Sequence, residues 1–221
     1  MDLLQAIEAR HSVRAYENRP IGASAMTALT AEMEKLNEQS GMHMQLVLDD
    51  PDCFQGFLAK YGAFVNAKNY IALVGKNEPG LAEKCGYYGE KLVLLAQQLG
   101  LNTCWVGGTY QKGKCRATVL KGEKLKLIIV LGYGQTQGKE RETKPIEALC
   151  TVNGPMPDWF LKGMKAVQLA PTAINQQRFH FTLKNNGVEA TALFGPLTKV
   201  DLGIAKCHFE IGAGDAVWAF E

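Results

Sequence analysis

Apolar residues recur at helical spacing in several segments of the chain. The longest series predicts a buried central helix ended by Gly100, with apolar positions at Leu81, Cys85, Tyr88, Leu92, Leu95 and Leu99. Four more helices are predicted, over residues 3–10, 25–40, 158–169 and 198–211. Their ends are marked by the N-terminal caps Asp2 and Ser24, by Gly41 after the second helix, and by Pro157 before the third.

Shorter apolar runs predict β-strands, at residues 44–48, 70–74, 125–131, 178–183, 188–194 and 216–220. The dipeptide Asn186-Gly187 predicts a β-hairpin between the fourth and fifth of these strands. Residues 135–157 are expected to be irregular, because glycine and proline interrupt them. The mixed order of helices and strands favours an α+β fold, with a mixed or antiparallel sheet flanked by helices.

The composition excludes several classes of protein. The chain has 221 residues and a net charge of +2, which is too balanced for a nucleic-acid-binding surface. No apolar stretch reaches the roughly 20 residues that span a membrane. The six cysteines contain no Cys-x-x-Cys pair, so we expect neither a metal site nor a thioredoxin-like motif. Unpaired cysteines and an N-terminus without a signal peptide predict a soluble, cytoplasmic protein.

A glycine-rich segment, Gly132-Tyr133-Gly134-Gln135-Thr136-Gln137-Gly138, invites comparison with dinucleotide-binding loops. A Rossmann fingerprint must open a helix whose N-terminus holds the pyrophosphate. The residues that follow carry no apolar stripe and meet Pro145, so the Rossmann interpretation is rejected. Basic residues cluster at 139–144, and they can equally be interpreted as a solvated loop.

Three other segments are candidates for binding. Arg10-His11-Ser12-Val13-Arg14 offers two guanidinium groups and a hydroxyl, which can surround a phosphate, although an arginine-rich helix end is also typical of a surface. In residues 170–177, Asn175 offers a donor and an acceptor that match the imide edge of a flavin or uracil ring. Gly107 and Gly108 can present backbone N–H groups to a ligand. The alternative for the last two segments is an ordinary connection or turn.

Taken in order, these segments resemble the nitroreductase family. The resemblance is carried by Arg-x-Ser-x-Arg-x-aromatic at 10–16, by Leu-Gly-Leu-Asn-Thr and Trp-Val-Gly-Gly within 90–108, by Leu-Gly-Tyr-Gly and basic residues within 129–144, and by Ala-Pro-Thr-Ala-x-Asn-x-Gln at 170–177. It implies an α+β nitroreductase-like fold. It also implies FMN as the cofactor and NAD(P)H as the co-substrate, with hydride passing through the flavin to a small electron-poor acceptor such as a nitroaromatic or quinone.

One departure from the family pattern affects the architecture. The Ala-Pro-Ser-like phrase lies late in this chain, whereas the ordinary family carries it early and directs it to the flavin of a partner subunit. The chain is therefore similar to the TM nitroreductase branch, in which two fused halves of one domain mimic the dimer. The resemblance implies a first half at 1–150, a second half at 151–221, and a monomer sufficient for one flavin, with a weak homodimer possible.

The resemblance also assigns site residues. It implies that phosphate and ribityl contacts come from Arg10, Ser12 and Arg14, with His11 beside them. Lys139 and Arg141 resemble the basic pair that closes over the phosphate, and Gly107 and Gly108 the donors at the reactive ring edge. The opposite wall would comprise Pro171, Thr172, Ala173 and Asn175. No catalytic acid, base or nucleophile is assigned. Two rival hypotheses remain, a flavin-binding protein without turnover and a family member that has lost its cofactor.

Overall fold

A computed structural model of the protein describes residues 1–55, 61–184 and 187–214. The described residues form six α-helices, whose bounds are α1 Leu3–Ala9, α2 Ala23–Ser40, α3 Leu81–Gln98, α4 Ile146–Leu149, α5 Asp158–Gln168 and α6 Thr198–Ala213. The seven strands are β1 Gln45–Val47, β2 Tyr70–Lys76, β3 Asn102–Val106, β4 Glu123–Gly132, β5 Cys150–Val152, β6 Phe179–Lys184 and β7 Gly187–Ala192.

The chain divides into two compact units. The four-stranded unit comprises Ala9–Leu81 and Leu92–Glu140, and its antiparallel sheet has the order β1-β2-β4-β3. The inner strands β2 and β4 are buried along most of their length, which explains their nearly continuous apolar sequence. They contribute Tyr70, Ile128 and Val130 to an apolar cluster that also contains Cys53 and Tyr110.

The three-stranded unit comprises Met1–Glu8, Ala82–Lys91 and Arg141–Glu221, with the sheet order β5-β6-β7. Strand β5 runs parallel to β6, and β7 pairs with β6 in antiparallel register. The core of this unit contains a group of phenylalanine rings. Phe209 of α6 stacks on Phe181 with 5.3 Å between ring centroids and meets Phe160 of α5 edge-on.

Most predicted helices and strands are confirmed, with shifts of one or two residues at their ends. Asp2 caps α1 as expected: its carboxylate accepts the N–H of Gln5 at 2.8 Å, and the Gln5 side chain accepts the N–H of Asp2 at 2.9 Å. The prediction for Ser24 was wrong, because α2 begins at Ala23, two residues before the predicted start, and Gly22 occupies the cap. Gly41 ends α2 at φ +68°, a conformation that glycine adopts without strain.

The interpretation of residues 135–157 as irregular was partly wrong. Pro145 is followed by the short helix α4, and β5 pairs with Phe181, Thr182 and Leu183, about 30 residues further on. Such a short strand has no apolar periodicity of its own and depends on its distant partner. The predicted hairpin pairing is confirmed from Lys184 and Gly187 onward. Asn186 of its turn and the strand predicted at 216–220 lie outside the described residues.

Candidate functional site

The predicted phosphate-binding segment at 10–14 runs alongside β3. Ser12 forms a parallel bridge with Thr103, and the N–H of Val13 donates to the Thr103 carbonyl at 3.0 Å. Val13 and Tyr16 are buried, whereas Ser12 and Arg14 are exposed. In extended chain, residues two apart project to the same face. Ser12 and Arg14 therefore point to one side of the segment, as a pair of phosphate ligands requires.

Cys104 of β3 lies among three of the predicted residues. Burial raises the pKa of its thiol, while the nearby charges of Arg14 and Arg10 and a hydrogen bond with Ser12 oppose that shift. Arg10 is only 2% exposed. Because a guanidinium group keeps its proton, this part of the unit carries a fixed positive charge next to the Ser12 hydroxyl.

The loop after β4 packs against the same segment. Asn102 holds this loop, since its side-chain oxygen accepts the N–H of Gly134 at 3.0 Å and its amide donates to Gln137 at 3.0 Å. Gly138 has φ +82°, and a Cβ placed there would lie 2.6 Å from the Cβ of His11. Lys139 follows directly. The four-stranded unit thus brings together Arg10, His11, Ser12, Arg14 and Lys139.

The two predicted glycines lie at the other end of β3. Gly107 and Gly108 are exposed, and a Cβ placed on Gly108 would meet no atom of the described residues within 4 Å. Gly107 lies four positions after Thr103, which corresponds to about 13 Å along an extended strand. Strand β3 therefore joins a cationic segment at one end to open backbone at the other.

The predicted loop at 170–177 belongs to the three-stranded unit, as does Arg141. The polar side chains of the loop form hydrogen bonds that stabilise the loop's own conformation. The amide of Asn175 donates to the Glu142 carbonyl at 2.9 Å, and its oxygen accepts from Gln177 at 3.3 Å. The hydroxyl of Thr172 accepts the N–H of Gln177 at 3.1 Å. Both functions of the Asn175 amide are therefore used inside the loop in this structure.

A carboxylate that the sequence analysis missed stabilises this loop. Asp201, in the first turn of α6, accepts the N–H of Ala173 at 2.9 Å and the side-chain amide of Gln176 at 2.7 Å. Asp201 is buried, and this burial raises its pKa to about 6 against the two hydrogen bonds. An acidic residue in the first turn of a helix was a signal in the sequence, but nothing local linked it to a loop 28 residues earlier.

The unusual backbone of the loop accounts for the need for these contacts. Ile174, Asn175 and Gln177 have φ values of 49°, 55° and 47°. Left-handed backbone is unfavourable for a β-branched residue such as Ile174 and persists only where the surroundings enforce it. The side chain of Ile174 is 88% exposed, whereas Pro171, three residues earlier in the chain, is buried. The loop therefore presents an apolar side chain on a strained but well-anchored backbone.

Two further features bear on function. Among the described residues, no group of three or more His, Cys, Asp or Glu side chains is arranged to hold a metal ion. Within the same part of the chain, no helix has both the length and the apolar character needed to cross a membrane.

The fold, with its basic segment beside β3, defines a nitroreductase-like α+β protein. A putative nitroreductase from Thermotoga maritima has a TM-score of 0.64 at 21% identity, over 96% of this chain and 83% of its own. The family model described as Putative TM nitroreductase matches residues 2–213. The chain therefore belongs to this nitroreductase family, and the predicted fold class is confirmed.

Two other solved structures share the fold. A putative nitroreductase from Desulfovibrio desulfuricans, in complex with FMN, has a TM-score of 0.55 at 22% identity, over 71% of this chain and 99% of its own. A putative NADH dehydrogenase/NAD(P)H nitroreductase from Bacteroides thetaiotaomicron has a TM-score of 0.52 at 18% identity, over 66% and 95% of the two chains. No curated protein sequence matches the chain.

Proposed function

We propose that the protein is an FMN-dependent oxidoreductase that uses NAD(P)H to reduce an electron-poor acceptor such as a nitroaromatic or quinone. Family membership and the FMN complex of the Desulfovibrio relative support the cofactor. The observation that carries the proposal is the pairing of Ser12 and Arg14 on one face of a segment bridged to β3, against which Gly138, the residue before Lys139, packs.

The donor set around Ser12 fits a phosphate monoester. Arg14 supplies a planar fork that can donate two hydrogen bonds, and Lys139 supplies a compact charge. Ser12 adds a neutral donor whose hydroxyl can rotate toward an oxygen. Arg14 and Ser12 are exposed, so a ligand can reach both. Buried Arg10 adds a charge that cannot be neutralised by loss of a proton.

Bound FMN would supply the centre that accepts and releases hydride. The protein's part is to bind, orient and supply charge. Arg14, Ser12 and Lys139 would hold the phosphate, and β3 would direct the rest of the cofactor along its length. The N–H groups of Gly107 and Gly108, both of which are exposed, would donate to a polar ring edge. No side-chain acid or base is required for hydride transfer, so we assign none.

The assignment of Pro171, Thr172, Ala173 and Asn175 to a second wall stays a prediction, as does that of Arg141. Ile174 is the residue of this loop with the most exposed apolar surface. We further propose that one chain binds one flavin. Size-exclusion chromatography would contradict this stoichiometry if it gave a flavin-free monomer beside a flavin-loaded dimer.

The spectrum of the purified protein tests the proposal. We expect a yellow protein whose visible absorption bleaches on anaerobic addition of NADPH or NADH and returns when a nitroaromatic or quinone is added. A yellow protein that neither nucleotide bleaches would support flavin binding without turnover. A colourless protein that fails to bind added FMN would contradict the proposal and support a family member without cofactor.

Substitution of Arg14 tests the position of the phosphate. Because a hydrogen bond to a charged group contributes about 1.5–3 kcal/mol, we expect Arg14→Ala to weaken FMN binding by about ten- to hundredfold. Arg19→Ala is the matched control, since Arg19 is an exposed arginine whose guanidinium lies over the Tyr133 ring at 3.7 Å. Isothermal titration of the apoprotein measures both. Equal affinity for Arg14→Ala and wild type would show that the phosphate lies elsewhere, and Asn175→Ala tests the second wall in the same way.

A further inference from the structure

Two cysteines outside the proposed flavin site lie in contact within the four-stranded unit. Cys53 is in a short 3-10 turn, Asp52–Phe54, and Cys115 follows a second such turn, Lys112–Lys114. The N–H of Gln111 donates to the carbonyl of Cys53 at 2.7 Å and joins the two turns. The side chains of the two cysteines interact with each other, although 61 residues lie between them in the sequence.

The two thiols differ in access to solvent. Cys53 is fully buried and packs in the apolar cluster of the sheet, with its sulfur 3.8 Å from the Asp50 carbonyl. Cys115 is half-buried at the edge of that cluster, with its sulfur 3.8 Å from the Gln111 carbonyl. A small oxidant can therefore reach Cys115 more readily than Cys53.

A polar network fixes the backbone next to Cys115. Tyr70 donates its hydroxyl proton to the buried carboxylate of Asp50 at 2.5 Å. The N–H of Arg116 lies 3.0 Å from the Tyr70 hydroxyl and 3.1 Å from the same carboxylate. These contacts hold the residue after Cys115 in one position, so the two sulfur atoms stay adjacent.

The surroundings also favour the thiolate of Cys115. The interaction with the Cys53 thiol lowers the pKa of Cys115, and the charge of Lys112 acts in the same direction, against partial burial and the charge of Asp50. The same contact and burial raise the pKa of Cys53. By contrast, burial raises the pKa of Cys104, Cys150 and Cys207. Since the thiolate is the reactive form, Cys115 is favoured as the nucleophile.

We propose that Cys115 and Cys53 form a peroxide-reactive dithiol that closes to a disulfide. The Cys115 thiolate attacks one oxygen of a hydroperoxide, the O–O bond breaks, and the leaving oxygen takes a proton to give water or an alcohol. Cys115 becomes a sulfenic acid, oxidised by two electrons. The sulfur of Cys53 then attacks the sulfur of Cys115, the S–O bond breaks, and water leaves with the proton of Cys53.

The geometry suits the second step. A disulfide needs an S–S distance of about 2.05 Å, and the 2.7 Å hydrogen bond from Gln111 to the Cys53 carbonyl already holds together the two turns that carry the cysteines. Both cysteines lie in or beside short 3-10 turns rather than in the interior of β2 or β4. The dithiol does not depend on the proposed flavin chemistry, because its oxidant is the hydroperoxide.

Mass spectrometry of the full chain tests the dithiol. Wild-type protein is treated with hydrogen peroxide, alkylated and digested, and we expect one cross-linked peptide pair joining Cys53 to Cys115 that disappears on reduction. Without peroxide, Cys115 is expected to react with iodoacetamide at least about tenfold faster than Cys150 at neutral pH. Absence of the cross-link, or alkylation of Cys150 as fast as of Cys115, would overturn the proposal.

Three variants separate the roles of the two cysteines. Cys115→Ser should abolish the cross-link, since the first nucleophile is lost. Cys53→Ser should instead accumulate a Cys115 sulfenic acid that dimedone traps. Cys150→Ser is the control, because its thiol is in the three-stranded unit and bonds to the Ile146 carbonyl at 3.3 Å, and it should leave the cross-link unchanged. If Cys53→Ser fails to fold by circular dichroism, the Cys115→Ser result and the wild-type peptide map still decide the proposal.

Discussion

Substitution of Gly203 by alanine should destabilise the three-stranded unit, although the same change stabilises most helices. Gly203 of α6 and Gly86 of α3 lie where the two helices meet. A Cβ at Gly203 would be 2.0 Å from the carbonyl oxygen of Glu83 and 2.8 Å from the nitrogen of Tyr87. Both obstacles are backbone atoms, so rotation of a side chain cannot relieve the clash, and the helices must separate.

The size of the effect follows from the contacts beside the crossing. An ordinary contact of 3.4 Å requires the helices to open by about 1.4 Å at this point. His208 of α6 and Glu90 of α3 are both fully buried and lie 2.9 Å apart, so the same opening would take them beyond hydrogen-bond distance. Lys206 and Glu83 form a buried ion pair at the same interface.

These contacts make the expected loss large. Overpacking costs about 1–3 kcal/mol, and separating a buried pair about 3–5 kcal/mol. If the two helices separate only partly, the free energy of unfolding should fall by about 4 kcal/mol in total. By comparison, glycine to alanine in an unobstructed helix gains up to about 1 kcal/mol. The change in the free energy of unfolding for Gly203→Ala is therefore expected to differ in sign, as well as in magnitude, from the change in an unobstructed helix.

Urea denaturation followed by circular dichroism and by fluorescence provides the measurement. Trp159 is a local probe, since its ring centroid lies 5.7 Å from that of Phe160 in the core of the same unit. Gly113→Ala is the control, because a Cβ at this position would meet no atom of the described residues within 4 Å. This substitution should change the free energy of unfolding by less than about 0.5 kcal/mol. A loss below about 1 kcal/mol for Gly203→Ala would refute the close helix crossing.

Two other substitutions test the anchored loop and the loop after β4. Burial raises the pKa of Asp201 from 3.8 to about 6, so its contribution to stability is complete below about pH 4 and is lost as the pH rises through 6. The free energy of unfolding of wild type relative to Asp201→Asn should therefore fall by up to about 3 kcal/mol between about pH 4 and pH 7, and a constant difference in urea titrations would contradict the buried carboxylate. Gly138→Ala should lower the free energy of unfolding by about 1–2 kcal/mol more than Gly154→Ala, because both have positive φ but only Gly138 meets a neighbour, His11, at 2.6 Å. Equal melting temperatures for the two variants would refute this packing.

The sequence alone was sufficient for much of the fold. Apolar periodicity predicted the buried helix α3 and the strands β2 and β4. A helix with one buried face has apolar residues at helical spacing, and a fully buried strand has a continuous apolar run. Family motifs indicated the segment at 10–14 as a candidate binding segment, but they did not indicate its position beside β3. The capping pair of Asp2 and Gln5 was likewise readable, since both partners lie within one turn.

The elements that sequence analysis missed depend on partners far along the chain. Strand β5 has only three residues and is defined by its pairing with Phe181, Thr182 and Leu183. Asp201 was an unremarked acid in a helix until the fold placed it beside the N–H of Ala173. Neither position carries a periodic pattern from which such a contact could be read.

By itself, the sequence determined the class of the protein and the order of its principal helices and strands. These features depend on residues a few positions apart. Only the tertiary structure decided that Cys53 meets Cys115, that Gly86 meets Gly203, and that Gly138 packs on His11. Each of these contacts joins residues more than 60 positions apart, and their proximity is set by the path of the chain through the sheets and helices rather than by local sequence.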